Sequence, residues 1–338
     1  MSTILIKNGT LIDGSGSKRY LADILIENEK IKKIGKLDLT ADKVIDASGK
    51  IVSPGFIDTH SHSDLKVLIE PFVEPKIRQG ITTEILGQDG ISMAPLPEKY
   101  VSSWRKNLAG LDGDSDELKW DWKDTNGYLN LISKTGSGPN ELYLVPHGNI
   151  RMEAMGLEAR AATKEELEKM KEITRREMEA GVAGISTGLI YIPCAYAETE
   201  ELIEICKVAA EYGRPLVIHQ RSEADTMLES MQEVIRIAKE SGVKIHFSHF
   251  KICGQKNWKL IEPVIALLDK CKEEGINISY DQYPYVAGST MLGVILPPWA
   301  HAGGTDKLIE RLKDKVLREK MKEDIIKGIP GWDNFIDF

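Results

Sequence analysis

Short apolar runs and helix-forming segments follow one another along most of this chain. The apolar runs have the length of strands and lie at residues 51–57, 80–87, 141–146, 182–189, 215–219, 243–251 and 276–281. Helix formers with a helical period of apolar positions fill residues 164–180, 198–212, 224–241 and 260–274, and the remainder to Pro330 is predicted as helical. Because strands that alternate with helices form a parallel sheet, the pattern predicts an α/β protein with seven strand–helix units. A closed TIM-like (β/α) barrel has eight units, so we expect a barrel of this type without its eighth strand.

The N-terminal residues 1–52 have a different pattern. Short β-rich segments are separated there by turn signals such as Asn8-Gly9 and Asp13-Gly14, which predicts a small antiparallel β unit. A unit of this size buries little core alone, and without C-terminal strands it is expected to be incomplete. The predicted domains are therefore 1–52, the small β domain, and 53–338, the truncated barrel.

Residues 91–140 interrupt the strand–helix rhythm. They contain Trp104, Trp120 and Trp122 among many charged residues, followed by Gly and Pro at 136–139. This segment is predicted to be an insertion, and two interpretations remain open. It forms a lid over the functional face of the barrel, or it is a surface excursion whose tryptophans form a small local core.

Composition and charge narrow the class of protein. The 338 residues are 42% hydrophobic and 28% charged, as is usual for a globular enzyme. A net charge of −8 without a basic stripe argues against nucleic acid or an anionic membrane as a partner. No apolar run approaches the ~20 residues of a membrane span, and the N-terminus lacks a signal-peptide layout. The four cysteines show no pairing pattern, so we expect reduced thiols in a cytoplasmic protein.

Metal-ligand residue types stand where the apolar strands end. His60 and His62 follow the first strand, Asp89 the second, His219 the fifth, and His249 lies in the sixth. Residues two apart on a strand point to the same side, and parallel strands present their carboxyl ends on one face. A single histidine at a strand end is usually an ordinary hydrogen-bonding residue, but four of them predict a site for one or two divalent metal ions. Such ions polarise a carbonyl and lower the pKa of bound water to about 7, which suits hydrolysis of an amide or ester.

Several short motifs sharpen this prediction. They are Gly80-Ile81-Thr82-Thr83, Gly184-Ile185-Ser186-Thr187-Gly188-Leu189-Ile190-Tyr191, Ser248-His249-Phe250-Lys251 and Asp281-Gln282-Tyr283-Pro284-Tyr285. Together with the order of the histidines, they resemble the amidohydrolase superfamily and, within it, the N-acyl-D-amino-acid deacylase (D-aminoacylase) family. The resemblance runs over nearly the whole chain. It implies zinc-dependent hydrolysis of N-acyl-D-amino acids, small-molecule substrates, to a D-amino acid and a carboxylate.

The resemblance also assigns metal ligands. His60 and His62 would hold one metal position, and His219 and His249 the other. Many relatives have a cysteine on the second strand where this chain has Asp89, and a carboxylate oxygen is a harder ligand than a thiolate. Residues 182–189 contain no lysine, which excludes the carboxylated-lysine bridge of related families. The number and identity of the metals therefore stay open.

Substrate contacts follow from the same motifs. Lys251 is implied as the partner of the substrate carboxylate, and Tyr191 as a second hydrogen-bond donor to it. Other expected site residues are Arg221, Tyr283 and His147, the last of which either orients the substrate carbonyl or supports the site from behind.

One expected residue has no match. Relatives use an aspartate after the eighth strand as a metal ligand and general base, so the catalytic residue is unassigned. We expect a fragment of a longer protein, or completion by a second polypeptide or by oligomer contacts, and weak or absent activity of this chain alone. Two alternatives remain: a non-catalytic metal-binding protein of the same fold, and a cyclic-amide hydrolase of the dihydroorotase or hydantoinase type. The absent lysine disfavours the second alternative.

Overall fold

The computed structural model describes residues 2–329 and 332–333. The chain divides into two compact units, Met1–Phe56 and Ile57–Phe338.

The first unit is a small sheet. Its strands are β1 (Thr3–Leu11), β2 (Tyr20–Glu27), β3 (Lys30–Gly35), β4 (Lys43–Asp46) and β5 (Ile51–Val52). They are arranged β3-β2-β1-β4, with β5 also paired to β1. The pairs β1–β2 and β2–β3 are antiparallel, but β4 and β5 run parallel to β1. The predicted antiparallel unit is therefore a mixed sheet.

The apolar run at 51–57 does not form one strand. Ile51 and Val52 pair with β1, whereas β6 (Phe56–Asp58) is the edge strand of the large sheet. Pro54 explains the break, because proline has no N–H to donate to a sheet ladder. His60 and His62 thus follow a strand of three residues rather than seven.

The second unit contains a curled sheet of seven strands within the described residues. These are β6, β7 (Ile81–Leu86), β8 (Asn140–Pro146), β9 (Gly184–Gly188), β10 (Leu216–His219), β11 (Ile245–Phe247) and β12 (Ile278–Tyr280). They lie side by side in sequence order, and the pairings from β7 to β12 are parallel. The expected seven-stranded, barrel-type α/β fold is confirmed. The carboxyl ends of the strands share one edge, which places the residues after them together.

Helices cover the strands. They are α1 (Lys66–Ile69), α2 (Glu74–Ile77), α3 (Val101–Leu108), α4 (Thr125–Thr135), α5 (His147–Met155), α6 (Lys164–Glu179), α7 (Thr199–Glu211), α8 (Met227–Ser241), α9 (Ile261–Glu273), α10 (Thr305–Lys313) and α11 (Lys315–Lys327). Helix α6 begins where Thr163 and Glu166 form a reciprocal capping box, a strong helix-start signal. Among the helices of the described chain, none has the length and apolar character required to cross a bilayer.

The segment after β12 differs from the prediction. Residues 281–291 form neither helix nor strand, and the regular helices resume only at Thr305. Pro284, Gly288 and the Pro297-Pro298 pair interrupt the expected helical stretch, because proline and glycine break helices.

The tryptophans of the insertion belong to the main core. Trp104, Trp120 and Trp122 are buried and pack in the same hydrophobic cluster as the central strands. The indole N–H of Trp104 donates to Ser92 O at 2.7 Å, and that of Trp122 donates to Met93 O at 2.7 Å. The tryptophans are therefore core residues, in the main core rather than in a separate small one.

Candidate metal centre

The carboxylate of Asp89 lies between two groups of histidines. Its Oδ2 is 3.7 Å from His60 Nε2 and 3.4 Å from His62 Nε2, and its Oδ1 is 3.7 Å from His249 Nε2. His219 joins the second group, with Nδ1 2.9 Å from His249 Nε2. In each group of three residues the potential ligand atoms lie within 4.8 Å of one another. The structure thus brings together all five residues that the sequence nominated as ligands.

The backbone around Asp89 is unusual and firmly held. Asp89 has a φ of 57° in a turn that follows β7, between Gly87 and Gly90, which also have positive φ values. A Cβ atom at Gly87 would lie 2.1 Å from Leu144 O, so only glycine fits there. The hydroxyl of Ser186 donates to Gly87 O and accepts from Gly90 N at 3.0 Å. This turn aims a buried carboxylate at the four imidazoles.

His249 also has a left-handed backbone, with a φ of 36°. Strand β11 ends at Phe247, so the predicted strand 243–251 is too long and His249 lies in the loop that follows. Its N–H donates to Asp281 Oδ1 at 2.5 Å, while Asp281 Oδ2 lies 2.9 Å from His246 Nε2. Asp281, which had no role in the sequence analysis, therefore holds the loop in place.

The donor atoms suit a divalent cation. Asp89 Oδ1 and His60 Nδ1 are buried and have no hydrogen-bond partner in residues 2–329 and 332–333. Burial alone raises the pKa of Asp89, but the neighbouring histidines, His60 first, outweigh it and hold the pKa well below its usual value. Burial lowers the pKa of His219 to about 4, which keeps this imidazole neutral and able to bind a metal. An anionic carboxylate among imidazoles is a ligand set typical of zinc and similar ions.

A lysine lies beside this centre. Lys251 Nζ is 2.6 Å from Glu223 Oε2 and 3.1 Å from His249 Nδ1, and it lies 5.5 Å from the centre of the Tyr283 ring. Glu223 Oε1 is in turn 3.1 Å from His249 Nδ1. Sequence reasoning missed Glu223, although it lies four residues after His219, just past the end of β10.

Tyr191 lies against a histidine of the centre, whereas Arg221 is engaged in contacts with Glu233 and the backbone. Tyr191 is buried, its hydroxyl is 2.8 Å from Thr290 Oγ1, and its ring centre is 5.4 Å from that of His219. The guanidinium of Arg221 donates two hydrogen bonds to Glu233, each of 2.9 Å, and others to backbone carbonyls. Arg221 therefore ties the loop after β10 to α8, whereas Tyr191 packs against a histidine of the centre.

His147 is fully buried, and both of its ring nitrogens have partners. Its Nδ1 is 2.9 Å from Thr187 Oγ1, and its Nε2 is 2.7 Å from Glu201 Oε1, which also accepts from Arg151 Nε at 2.8 Å. Both ring nitrogens are engaged, which favours the supporting role over substrate contact. Burial lowers the pKa of His147, but Cys194 and then Glu201 outweigh it and raise the pKa to about 9.

A second carboxylate group adjoins His62. The Asp112 side chain, in the loop after α3, places Oδ1 3.5 Å from His62 Nδ1. Asp64 belongs to the same group, with its potential ligand atom within 4.8 Å of those of His62 and Asp112. No pattern in the sequence singles out Asp112, because it lies in an irregular loop of the insertion.

A cavity of about 340 Å³ adjoins Lys251. Its wall is mostly apolar, and it is lined by Phe250, Lys251, Ile252, Trp258, Ile261, Val264 and Gln282. Trp258 and Ile261 are 59% and 46% exposed, so these apolar groups are available for contact.

Comparison with known proteins agrees with this geometry. Residues 43–264 match the amidohydrolase family. The chain is 37% identical over 290 residues to D-aminoacylase from Alcaligenes xylosoxydans xylosoxydans, which covers 86% of this chain and 58% of the relative. A crystal structure of N-acyl-D-glutamate deacylase from Bordetella bronchiseptica, complexed with zinc and a phosphonate mimic of the tetrahedral intermediate, superimposes with a TM-score of 0.78. It is 36% identical and covers 83% of this chain and 58% of the solved chain.

A D-aminoacylase structure with a binuclear metal centre, described as showing one-metal activation and second-metal attenuation, is 32% identical with a TM-score of 0.80. It covers 95% of this chain and 69% of the solved chain. This chain thus spans 58% of the length of the D-aminoacylase that it matches. The resemblance to N-acyl-D-amino-acid deacylases is confirmed by these similarities. Because the family match covers well over half of its residues, the chain belongs to the amidohydrolase family.

Proposed function

We propose that this protein carries the metal and substrate sites of a zinc-dependent hydrolase that converts N-acyl-D-amino acids to a D-amino acid and a carboxylate. The observation that carries the proposal is the position of Asp89, whose two carboxylate oxygens face two different histidine groups. The relatives that supply the substrate class are the D-aminoacylase and the N-acyl-D-glutamate deacylase.

In this proposal five side chains hold one or two metal ions: His60, His62, Asp89, His219 and His249. Asp89 would be shared by both positions, because it belongs to both groups of potential ligands. When bound, the metal polarises the amide carbonyl and lowers the pKa of water to about 7. Two contacts would preorganise these ligands in the metal-free protein. Ser186 holds the turn at Gly87–Gly90 that carries Asp89, and Asp281 holds the backbone of His249.

Lys251 would bind the substrate carboxylate. Its ammonium group lies 3.1 Å from His249 Nδ1, so a carboxylate held by Lys251 lies next to the metal ligands. Glu223 compensates the lysine charge at 2.6 Å and orients it toward the centre. Tyr283 lies over the same ammonium group, and Tyr191, packed on His219, supplies a hydroxyl at the site.

The cavity beside Lys251 suggests which substrates fit. A group attached close to the substrate carboxylate would enter a space of about 340 Å³ with a mostly apolar wall. Among the residues that line it, Lys251 carries the one full charge, and in this proposal the substrate carboxylate occupies it. An apolar amino-acid side chain therefore suits this cavity better than an acidic one.

The test is a metal-controlled assay with both enantiomers. The purified 338-residue chain, stripped with a chelator and then reloaded with zinc, is incubated with N-acetyl-D- and N-acetyl-L-methionine. Binding is measured by calorimetry, and release of the free amino acid by chromatography. We expect zinc-dependent binding that favours the D enantiomer, with slow release of the amino acid at most, because no residue of the chain is assigned as the general base. Zinc-loaded protein that neither binds nor hydrolyses the D substrate would contradict the proposal and favour the non-catalytic metal-binding alternative.

The cyclic-amide alternative has its own test. Strand β9 has the sequence Gly-Ile-Ser-Thr-Gly and lacks the lysine that would bridge two metals in that class. Dihydroorotate and hydantoins in the same zinc-loaded assay are expected to remain intact.

A further inference from the structure

Asp112 is a buried carboxylate without an ordinary partner. Its side chain is 0% exposed, and within residues 2–329 and 332–333 neither of its oxygens accepts a hydrogen bond. An unpaired buried carboxylate costs several kcal/mol of stability, so a protein retains one where it serves a purpose. The imidazole of His62 lies beside it, with Nδ1 3.5 Å from Asp112 Oδ1.

The two ring nitrogens of His62 face two different carboxylates. Nδ1 faces Asp112, whereas Nε2 faces Asp89 at 3.4 Å. A neutral imidazole carries one proton, and a carboxylate beside Nδ1 keeps the proton on that nitrogen. The lone pair of Nε2 is then directed at the centre around Asp89.

The loop that carries Asp112 is well anchored. The Asp112 N–H donates to Leu108 O at 2.9 Å, which continues the end of α3. Arg105, also on α3, holds the following residues through Asp114 at 2.8 Å and Asp116 at 2.7 Å. The position of Asp112 is therefore fixed by the helix and does not depend on contact with His62.

Asp64 plays a different part. Its Oδ1 accepts from Gly87 N at 2.8 Å and from the Ser92 hydroxyl, so this carboxylate is already tied to the turn before Asp89. Asp112 has no such contacts among the described residues and is available to His62 alone.

We propose that Asp112 is a positioning residue that accepts a hydrogen bond from His62 Nδ1 and so fixes the tautomer and ring orientation with which His62 binds metal. The inference rests on the metal site proposed above and deepens it. It gives the insertion at 91–140 a direct role in metal affinity. Removing a carboxylate that orients a metal-binding histidine in this way typically costs 10–100-fold in metal affinity.

The test measures metal affinity and metal-free stability separately. D112N and D112L are stripped of metal and titrated with Zn²⁺ against a chromophoric chelator, and their melting is followed in EDTA by circular dichroism. We expect D112N to bind zinc at least about 10-fold more weakly and D112L more weakly still. In EDTA both variants are expected to melt at or above the wild-type temperature, because a buried unpaired charge has been removed.

E117Q is the matched control, because Glu117 is exposed in the same loop and lies outside the Arg105 contacts that hold this loop. It is expected to leave zinc affinity unchanged. Wild-type zinc affinity in both Asp112 variants would overturn the proposal. Metal-free variants that melt below the wild type, in proportion to their loss of zinc affinity, would also overturn it, because they would indicate a structural role for Asp112. Loss of one additional weak zinc ion, with the tighter sites unchanged, would make Asp112 a ligand and also overturn it.

These outcomes are independent of deacylase activity. Weakened zinc affinity in a chain that hydrolyses nothing would leave the role of Asp112 standing while the proposed function fails. Normal hydrolysis and normal zinc affinity in D112N would leave the proposed function standing while the role of Asp112 fails.

Discussion

The backbone N–H of His249 donates to the carboxylate of Asp281 at 2.5 Å, and this contact joins the loop after β11 to the end of β12. His249 has a φ of 36°, a left-handed conformation that is uncommon for any residue but glycine. A charged acceptor beside the strained residue compensates part of that cost, and the strain turns the imidazole toward Asp89. Asp281 thus acts on the candidate metal centre through the backbone of one candidate ligand.

Replacing Asp281 with alanine should therefore weaken metal binding. D281A removes the acceptor of the His249 N–H as well as the contact at 2.9 Å with His246. We expect a loss of about 1–3 kcal/mol of stability and a measurable drop in zinc affinity in chelator competition. The matched variant H246A removes the second contact and the 2.8 Å contact of His246 with Ser279, but it keeps the His249 contact and should keep the zinc affinity. Equal effects of the two variants would mean that the His249 contact is not the important one.

Replacing Asp89 tests its shared position. D89A should lower the zinc content per chain, measured by elemental analysis, because the residue belongs to both groups of potential ligands. D89C should retain zinc and bind it more tightly, with the increase greatest for softer ions such as Cd²⁺, because thiolate is a softer ligand than carboxylate. Unchanged metal content in D89A would exclude Asp89 as a ligand.

Lys251 is expected to govern substrate binding rather than metal binding. K251M keeps much of the side-chain volume but removes the charge, and it should weaken binding of N-acetyl-D-methionine by about 10-fold or more. The zinc affinity should stay within about twofold of wild type, because Glu223 remains 3.1 Å from His249 Nδ1 in K251M and still orients this imidazole, whose Nε2 faces Asp89. K251R should restore part of the binding. Substrate affinity unchanged in K251M, measured by calorimetry, would remove Lys251 from the substrate site.

The cavity beside Lys251 predicts a preference among acyl-D-amino acids. We expect N-acetyl-D-leucine to bind at least about 10-fold more tightly than N-acetyl-D-glutamate or N-acetyl-D-aspartate, because the wall is mostly apolar. W258A removes a 59% exposed indole from that wall and should reduce the preference. Calorimetry with the zinc-loaded chain gives all three affinities, and tighter binding of the acidic substrates would contradict the assignment of the cavity.

The strands and the candidate ligands could be predicted because they follow local rules. Apolar runs of strand length located all seven strands of the large sheet, and their carboxyl ends located His60, His62, Asp89 and His219. His249 was predicted to lie within the sixth strand, but β11 ends at Phe247. Its position depends instead on the hydrogen bond from its N–H to Asp281, which the strand pattern does not predict.

The supporting residues could not be predicted because their partners are distant in sequence. Asp112 meets His62 from an irregular loop 50 positions later in the numbering, and Glu201 meets His147 across 54 positions. No periodicity encodes such contacts, since they depend on how separate loops and helices pack. The break at Pro54 and the irregular segment 281–291 were, in contrast, visible in the sequence as proline and glycine signals that deserved more weight.

The buried pair of His147 and Glu201 should make stability depend on pH in a defined direction. The folded-state pKa of His147 is raised to about 9, above the ~6.5 of an unfolded chain, so the folded state binds this proton more tightly. The contribution is therefore fully present below about pH 6.5 and is lost as pH rises through about 9.

E201Q removes the carboxylate that accounts for part of this shift in the pKa of His147, whereas Arg151, the other partner of Glu201, stays charged throughout the range. In EDTA, the wild type should exceed E201Q in unfolding free energy by on the order of 2 kcal/mol at pH 6, and the difference should shrink by pH 9.5. E200Q, at a neighbouring residue whose side chain is 63% exposed, is the matched control and should show no such trend. A difference between wild type and E201Q that is constant across this range in urea unfolding would mean that His147 does not titrate against Glu201.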